Sequence, residues 1–379
     1  MAGSLRAFGA GVALGVAAAV VVALLPWPPP STAAGAAVQI AAQLGDPPSA
    51  PAVPSSVLAA PAPELPDVEP PPAEPVRLAF AGDVHGEGGV GAALARGGNP
   101  FAAIAPVLAD ADLTVVNLET AAAESGSPED KSFTFNADPA LLGSLSASGV
   151  DVISLANNHA LDYGADALVE TIQRAEAAGL QVVGAGVDAE AAFAPALFDI
   201  RGVRVAVVGM SRVLPTVDWF AGGGRPGIAS AYDEAAAVAA VIRAAEVADR
   251  VVVAIHWGQE LAACPDEVQL RLADALAAAG ADVIAGHHPH VLQGIELRDQ
   301  ALVAYSLGNF AFYARAEDTS RTGVLRVTVA GESVAHDFFP ARIEGSLPVP
   351  VTGDAADDVL GTVAARSPGG AAGCAFGPP

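Results

Sequence analysis

Lysine is almost absent from this sequence. Lys131 is the only lysine among 379 residues, and lysines and arginines together number 18 against 42 aspartates and glutamates. The formal net charge of −24 excludes nucleic acid as a partner, because a duplex carries dense negative charge and its binders need a basic surface. An anionic substrate would have to be attracted by something other than the surface field, and a multivalent cation buried in a cleft is the natural candidate.

Cysteine and aromatic residues are scarce as well. Cys264 and Cys374 are too few for a disulfide framework, and the sequence leaves open whether they form one bridge or stay as two free thiols. Aromatic residues make up 5% of the chain, whereas hydrophobic residues, a class inflated by alanine, make up 52%. These figures predict an ordinary alanine-rich α/β core.

The first 75 residues are predicted to lie outside the folded domain. Phe8 to Leu25 is a run of 18 small and apolar residues, a length between a signal-peptide core and a short transmembrane helix. The sequence does not decide whether residues 1–25 are a cleaved signal peptide or a membrane anchor, but both predict an extracytoplasmic protein, membrane-anchored or secreted. Residues 26–75 hold half of the 30 prolines and are predicted to form an extended tether.

Residues 76–345 are predicted to form the folded domain. Apolar runs typical of buried strands, such as VRLAFAGD from Val76 and VRVAVVGM from Val203, alternate with segments of helical spacing. This alternation predicts an α/β domain with a largely buried sheet. Residues 346–379 are rich in glycine and alanine without periodicity, so we expect a low-complexity, unstructured tail.

The stretch ADVIAGHHPHVLQ carries the strongest functional signal. A short apolar strand ends at Gly286, and three of the seven histidines follow within four positions, as His287, His288 and His290. Imidazole is the commonest protein ligand for transition metals. The alternative is a pH-sensitive or merely solvated loop, but the clustering favours a metal site.

Other polar residues stand where predicted strands end. They are Asp83, His85, Glu119, Asn158, His159, His256, His288 and His290. Taken singly, each has an ordinary explanation as a turn residue, a helix cap or a core histidine. In open α/β sheets, however, ligands collect at the carboxyl ends of strands, so the joint occurrence predicts one shared pocket.

Six motifs in order give these residues a family resemblance. GDVH, NLE, ANNHALDYG, HWGQE, GHHPHVLQ and YSLGNF resemble the CapA family of poly-γ-glutamate capsule synthesis proteins, within the calcineurin-like metallophosphoesterase superfamily. The resemblance covers roughly Val76 to Ile343. It implies a four-layer α/β sandwich of two mixed β-sheets flanked by α-helices, with a dinuclear metal centre at the strand ends.

The resemblance also implies roles for individual residues. Seven would be metal ligands: Asp83, His85, Glu119, Asn158, His256, His288 and His290. Asp83, His85 and His290 would hold the first ion, Glu119 would bridge, and Asn158, His256 and His288 would complete the shell of the second ion.

Four further residues are expected beside the ligands. His159 would be the catalytic acid next to the leaving group, while Glu260, Asn309 and His287 would support the ligands or contact substrate; Glu260 could orient a ligand histidine. Two features depart from the superfamily pattern. NLE supplies a glutamate where an aspartate is usual, and Ala160 rather than an acid follows the Asn-His pair, with Asp162 two positions further on.

The leading interpretation is a metal-dependent hydrolase, tethered by its N-terminal segment to a membrane. Two divalent ions would activate a shared water for attack on a phosphoester, or less conventionally an amide. Mixed carboxylate, imidazole and carboxamide ligands suit Mn, Fe or Zn without choosing among them. The protein would act in synthesis, anchoring or processing of an anionic surface polymer such as poly-γ-glutamate. The alternatives are a non-catalytic subunit of a capsule assembly or export complex, and a secreted general phosphoesterase.

Overall fold

A computed structural model of the chain describes residues 74–331 and 333–376. The predicted signal peptide or anchor at residues 1–25, and the tether as far as residue 73, lie outside the described residues. No helix within the two described ranges is long and apolar enough to span a lipid bilayer.

Strands and helices alternate along the described chain, as the sequence predicts. The strands are β1 (Val76–Val84), β2 (Leu113–Leu118), β3 (Val152–Ser154), β4 (Gln181–Val183), β5 (Ala185–Gly186), β6 (Ala196–Ile200), β7 (Val203–Ser211), β8 (Gly227–Ile228), β9 (Arg250–His256), β10 (Val283–His287), β11 (Ile295–Arg298), β12 (Ala301–Ala304), β13 (Asn309–Ala311), β14 (Arg321–Ala330), β15 (Ser333–Glu344) and β16 (Leu347–Pro350). The helices are α1 (Gly89–Ala95), α2 (Ala105–Leu108), α3 (Ala140–Ala147), α4 (Gly164–Ala177), α5 (Ala189–Ala192), α6 (Glu234–Ala245), α7 (Glu267–Ala278), α8 (Glu317–Ser320) and α9 (Asp354–Arg366).

Two mixed sheets form the centre of the domain. The first has the order β16-β15-β14-β1-β2-β3-β4, with β13 paired to the end of β1. Strands β1 to β4 are parallel, and β14 to β16 extend the sheet in antiparallel fashion. The second has the order β11-β12-β10-β9-β7-β6, in which the four central strands are parallel and the two edge strands antiparallel. Strands β5 and β8 form a separate short ribbon.

Alternating residues of the central strands separate the layers. Along β1, Leu78 and Phe80 face the second sheet, whereas Ala79 and Ala81 pack on the side of helices α1 to α4. The second sheet repeats this pattern, since one face of β7 and β9 meets the first sheet and the other meets α6 and α7. Period-2 alternation places successive side chains on opposite faces. The predicted four-layer sandwich of two mixed sheets flanked by helices is therefore confirmed.

The C-terminal segment is folded, so the expectation of an unstructured tail was wrong. Strand β16 extends the first sheet, and α9 buries Ala356, Val359 and Val363, which follow helical spacing. Helix α9 contacts β15 of the first sheet and β11 of the second. The alanines and glycines around these apolar residues make the helical pattern difficult to recognise in the sequence. Beyond it, Cys374 forms a disulfide with Cys264, which answers the question that the sequence left open.

Candidate metal centre

The ligand candidates lie where parallel strands of both sheets end. Asp83 is the penultimate residue of β1, Glu119 directly follows β2, and His256 and His287 are the last residues of β9 and β10. His256 and His287 are in register with each other across these neighbouring strands. The stacked sheets thus gather side chains that are far apart in sequence, as expected for the carboxyl ends of parallel strands.

Glu119 lies at the centre of this cluster of side chains. It belongs to two groups of ligand atoms, one with His288 and His290 and the other with Asp83 and His256, and within each group the atoms lie within 4.8 Å of one another. Glu119 Oε1 is 3.7 Å from Nε2 of both His256 and His290. A carboxylate shared by two groups could reach two ions, and the bridging role of Glu119 stays a prediction. How the ligands divide between two ions stays a prediction, since His290 Nδ1 also lies 3.1 Å from Asp83 Oδ2.

Several buried atoms of the site make no hydrogen bond. They are Asp83 Oδ2, Glu119 Oε1, His287 Nδ1 and His288 Nδ1; the contacts of Asp83 Oδ2 with His290 Nδ1 (3.1 Å) and of Asp83 Oδ1 with His287 Nδ1 (3.3 Å) do not have hydrogen-bond geometry. Both carboxylates are fully buried, and a buried polar group without a partner costs free energy. A divalent cation would satisfy these oxygens and imidazole nitrogens together, and they are donor types that Mn²⁺, Fe²⁺ and Zn²⁺ accept. The donor set therefore fits bound metal.

The two carboxyl groups differ in their affinity for protons. Burial raises the pKa of Glu119 well above its usual value, and the negative charge of Asp83 adds to the effect. Burial also acts to raise the pKa of Asp83, but the adjacent His287 and His290 rings outweigh it and hold that pKa well below its usual value. Without metal, protons therefore stand in for part of the positive charge that this site requires.

The imidazoles of the site also differ in pKa. Burial lowers the pKa of His85 and of His288 to about 3, and it holds that of His256 well below its usual value. His290 is the exception, because Glu119 and Asp83 outweigh its burial and raise its pKa to about 9. Neutral imidazoles are ready to bind a cation, so His256 and His288 need lose no proton to do so.

The histidine loop reaches the site through an unusual backbone. His288 and His290, on either side of Pro289, have φ angles of 97° and 58°, in the left-handed region that few non-glycine residues adopt. Gly286 precedes them in strand β10, where an added Cβ would lie 2.1 Å from the carbonyl oxygen of Tyr305. The sequence GHHPH thus combines a close backbone approach with a turn that presents alternate imidazoles.

Asn117 is a site residue that sequence reasoning missed. Its Nδ2 donates to Asp83 Oδ1 (2.8 Å) and Glu119 Oε2 (3.1 Å) and lies 3.3 Å from His256 Nδ1. Asn157 Nδ2 in turn donates to Asn117 Oδ1 (3.0 Å), which fixes the orientation of the Asn117 carboxamide. The signal was present, since a fully buried asparagine at a strand end needs partners.

Two of the expected carboxamides hold histidines. Asn158 Oδ1 lies 2.7 Å from His256 Nε2, beside Glu119, so it is close enough to share a cation with them. Asn309 Oδ1 lies 2.9 Å from His290 Nδ1, which leaves Nε2 of that ring facing Glu119. Asn309 therefore orients a candidate ligand histidine, which is one of the two roles expected for it.

His85 is not brought into either ligand group. Its ring packs on Phe312 with centroids 3.8 Å apart. Its two nitrogens each face a backbone N–H at 3.3 Å, that of Glu87 and that of Tyr313. In this geometry His85 is a buried neighbour of the ligands, and its predicted bond to the first ion stays a prediction.

His159 lies beside the candidate ligands, and Asp162 holds the side of its ring that faces away from them. Its Nδ1 donates to Asp162 Oδ2 (2.6 Å), and its Nε2 faces Glu119 Oε1 at 4.0 Å. Lys131 Nζ donates to Asp162 Oδ1 (2.6 Å) and to the carbonyl oxygen of Asn158 (2.6 Å). Burial lowers the pKa of His159, although Asp162 acts in the opposite direction. The only lysine of the chain is therefore part of this network.

Residues 77–314 match the family of the bacterial capsule synthesis protein PGA_cap. This chain belongs to that family. The matched region contains every predicted ligand and Asn309. The resemblance to capsule synthesis proteins inferred from six motifs is confirmed.

Curated relatives of the family carry matching names. The chain is 34% identical over 233 residues to the capsule biosynthesis protein CapA of Bacillus anthracis, covering 59% of this chain and 55% of that protein. It is 34% identical over 205 residues to the PGA biosynthesis protein CapA of Bacillus subtilis, covering 54% and 53%. A probable polyglutamine synthesis accessory protein of Mycobacterium tuberculosis is 32% identical over 209 residues, covering 52% and 55%. The chain thus spans about half the length of the curated relatives it matches.

Solved structures are more distant. A hypothetical protein from Thermus thermophilus has a TM-score of 0.44 at 16% identity, covering 70% of this chain and 99% of that one. The NAD nucleotidase of Haemophilus influenzae has a TM-score of 0.42 at 15% identity, covering 76% and 56%. At these values the likeness adds nothing to the fold described above.

Two clefts open onto the candidate metal centre of this capsule-synthesis family member. We call the first the aromatic cleft; it has a volume of about 280 Å³ and is lined by Phe133, Phe135, His159, Glu260, Leu261, His290, Asn309, Phe312, Tyr313, Arg315, Ala316 and Thr319. The second, of about 510 Å³, includes Lys131, Asn158 and His288 and shares Phe133, His159 and Glu260 with the first. Glu260 is exposed and makes no hydrogen bond to a site histidine within the described residues. It borders the clefts instead of orienting a ligand.

The loop that carries Glu260 is fastened at several points. The N–H of Leu261 donates to the carbonyl oxygen of Pro289 (2.8 Å) in the histidine loop. Gln293 Nε2 donates to the carbonyl oxygens of Ala262 (2.9 Å) and Cys264 (3.0 Å), and Cys264 is bonded to Cys374. The cleft border is therefore fixed both to the ligand loop and to the C-terminal segment.

Proposed function

We propose that this chain is an extracytoplasmic, metal-dependent hydrolase-type protein that acts in synthesis, anchoring or processing of an anionic surface polymer such as poly-γ-glutamate. The observation that carries the proposal is the set of buried carboxylate and imidazole atoms around Glu119 that have no hydrogen-bond partner. Such an arrangement is costly in a protein that binds nothing there.

Two divalent cations, Mn, Fe or Zn, would be held between them by Asp83, Glu119, His256, His288 and His290, the residues of the two groups that share Glu119. When bound, such a pair supplies an activated water and neutralises charge on a phosphoester or amide group. The protein's own part is to hold these ligands in place, and Asn117, Asn158 and Asn309 do so through the contacts described above.

His159 is suited to deliver a proton to the leaving group. Because its Nδ1 donates to Asp162, its Nε2 is the nitrogen free to carry that proton, and it faces the centre near Glu119. Lys131 balances the charge of Asp162 and ties it to the Asn158 carbonyl. General acid catalysis of this kind typically accelerates a reaction by about 10²- to 10⁴-fold.

An extracytoplasmic location is supported by two features. The Cys264–Cys374 disulfide is of a kind that persists in oxidising compartments and is rare in the cytosol. The apolar run from Phe8 to Leu25, outside the described residues, has the composition of a signal peptide or membrane anchor. Attachment to a membrane and association with a capsule-synthesis complex are part of the same proposal.

The test begins with the metal. Elemental analysis of the purified protein should find up to two equivalents of Mn, Fe or Zn, and chelation followed by each metal in turn should abolish and restore hydrolysis of bis-p-nitrophenyl phosphate or of poly-γ-glutamate. His256→Ala should lower both metal content and turnover, by about 10²-fold or more. His336→Ala is the matched control, because His336 is exposed on β15.

Capsule measurements separate the rival interpretation. In a strain that depends on this protein, His256→Ala should abolish surface polymer while the protein remains abundant. A non-catalytic assembly subunit would keep polymer production with His256→Ala, and absence of turnover with every metal and substrate would remove the hydrolase proposal.

A further inference from the structure

The aromatic cleft contains two opposite charges that have no partner among the described residues. Four of its twelve lining residues are aromatic, namely Phe133, Phe135, Phe312 and Tyr313, and Phe133 is 56% exposed. A wall of this kind covers apolar ligand atoms and leaves orientation to a few polar groups. Those groups are the ones that decide what the cleft binds.

Arg315 is the cationic group. Its guanidinium lies 4.8 Å from the Tyr313 ring centroid, and the side chain is exposed at the cleft. Among the described residues it forms no ion pair with a carboxylate, whereas most arginines in this acidic domain do: Arg77, Arg174, Arg201, Arg212, Arg225, Arg250, Arg271, Arg298, Arg321, Arg326, Arg342 and Arg366. In a chain with a net charge of −24, an arginine left free at a cleft is available for a ligand anion.

Glu260 is the anionic group. It is exposed, borders the same cleft, and within the described part of the chain forms no salt bridge, although its charge helps to raise the pKa of the nearby His290. Arg315 and Glu260 do not form an ion pair with each other, although both line this cleft. An anionic ligand alone would be attracted by Arg315 and repelled by Glu260, so a simple anion subsite does not account for both.

We propose that the aromatic cleft binds a residue that carries an ammonium and a carboxylate on the same carbon, as at the free amino end of a γ-linked glutamyl chain. Arg315 binds the carboxylate, Glu260 binds the ammonium, and the aromatic wall covers the methylene groups between that carbon and the first amide. The choice of polymer rests on the proposed function. In an α-linked peptide of several residues, no residue keeps both groups on one carbon, whereas the first residue of a γ-linked chain does.

The aromatic cleft lies next to the candidate metal centre. His159 and His290 line the same cleft, so a chain end held by Arg315 and Glu260 lies against the metal centre. The protein would then engage its polymer from the free amino end and not along its length.

The test is calorimetric binding to the full-length protein in the presence of a chelator, so that it does not depend on turnover. The probes are a γ-linked glutamate trimer, its N-acetylated form, and the α-linked trimer, which has the same composition and charge as the first. We expect the free γ-linked trimer to bind about tenfold more tightly than either of the others, roughly the value of one charge-assisted contact.

Substitutions assign the two contacts. Arg315→Ala should weaken binding of the free γ-linked trimer about tenfold. Glu260→Gln should weaken it about fivefold while leaving the N-acetylated trimer unaffected. Arg243→Ala, on the outer helix α6, and Glu344→Gln, at the end of β15, are matched exposed controls and should change neither affinity.

Equal affinity for the three trimers would overturn the inference, as would full binding by both cleft variants. Either result would leave the metal-dependent hydrolase proposal intact, since metal content and turnover are measured separately. Conversely, selective binding that requires Arg315 and Glu260 would stand even if no hydrolysis were found with any metal.

Discussion

The two stacked sheets bring different chemical groups to the candidate metal centre. The first sheet supplies the carboxylates of Asp83 and Glu119 together with carboxamides, and the second supplies the imidazoles of His256, His288 and His290. Carboxylates alone would repel each other: after burial, the negative charge of Asp83 is the next largest cause of the raised pKa of Glu119. Imidazoles alone would bring no negative charge to offset that of two cations. The site therefore forms only because the two sheets stack. Neither the histidine loop nor the strand ends of the first sheet would form it alone.

The two histidines that come from the first sheet reinforce this difference. His85 packs on Phe312, and His159 is held by Asp162. Neither belongs to the ligand groups around Glu119. These two imidazoles therefore lie beside the ligand groups, in contact with Phe312 and Asp162, and the expected roles of His85 as a ligand and of His159 as an acid stay predictions.

The largest expected effect comes from loosening the contact between the sheets. Phe80 is fully buried between them, and Phe80→Ala should lower the free energy of unfolding by about 4 kcal/mol through lost burial and a cavity. It should also weaken metal affinity, because the carboxylates and imidazoles would no longer be held in register. Urea unfolding and metal titration of the same protein measure both.

Phe101→Ala is the control for that comparison. Phe101 is equally buried but packs on the helical side of the first sheet. It should cost a similar amount of stability while leaving metal affinity within about twofold. Equal losses of metal affinity in the two variants would mean that stacking of the sheets is not what forms the centre.

Metal removal should have the next largest effect. A cation bound only by the folded state, present at about 100 times its dissociation constant, adds about 3 kcal/mol of stability. Thermal unfolding with chelator and then with added Mn²⁺ should reveal this difference. Glu119→Gln, which removes the carboxylate common to both groups, should abolish most of it. Unfolding temperatures that do not respond to chelation would argue that the two sheets meet without binding metal.

A third prediction concerns the first sheet alone. Lys131→Met removes a partner of the fully buried Asp162 and should cost about 2 kcal/mol, because Asp162 keeps its bonds from His159 and from the Phe135 N–H. The positive charge of Lys131 lowers the pKa of His159, so its removal should raise that pKa. NMR titration of the metal-free protein would measure the shift.

Lys131→Arg keeps the charge and should behave more like the wild type in both measurements. An unchanged His159 pKa in Lys131→Met would show that the network acts only on stability. Metal affinity should change little in either variant, because the ligands of both groups remain.

The smallest effect is expected from the support of a single ligand. Asn309→Ala removes the partner of His290 Nδ1 and should weaken metal affinity about tenfold without unfolding the protein. Asn99→Ala is the control. Asn99 also makes two hydrogen bonds, to Ser148 and from the Phe101 N–H, but it is not part of the candidate metal centre. If metal affinity is unaffected by Asn309→Ala, the second sheet positions its imidazoles without help from this carboxamide.

The sequence predicts much of this site because its ligands stand at strand ends. Apolar runs located the ends of β1, β2, β9 and β10, and the carboxyl ends of parallel strands meet whatever their separation in the chain. Asp83, Glu119, His256, His288 and His290 could be named for that reason. The layered fold followed from the same alternation together with six ordered motifs.

Other features depend on contacts that have no local pattern. Asn117 looks like one more residue of a strand until its partners Asp83 and Glu119 are brought beside it. Glu260 and Arg315 become neighbours of one cleft only through the path of their loops. Helix α9 was missed because small residues separate its few apolar ones.

The Cys264–Cys374 bond joins the border of the aromatic cleft to the C-terminal segment that follows α9, whereas Asp83 and His256 lie at the ends of strands that carry neither cysteine. A reductant should therefore affect the selection of polymer ends without affecting the binding of cations. The reduced protein would keep its cations but would choose less sharply among polymer ends, because the segment bearing Glu260 and Leu261 loses one of its fastenings.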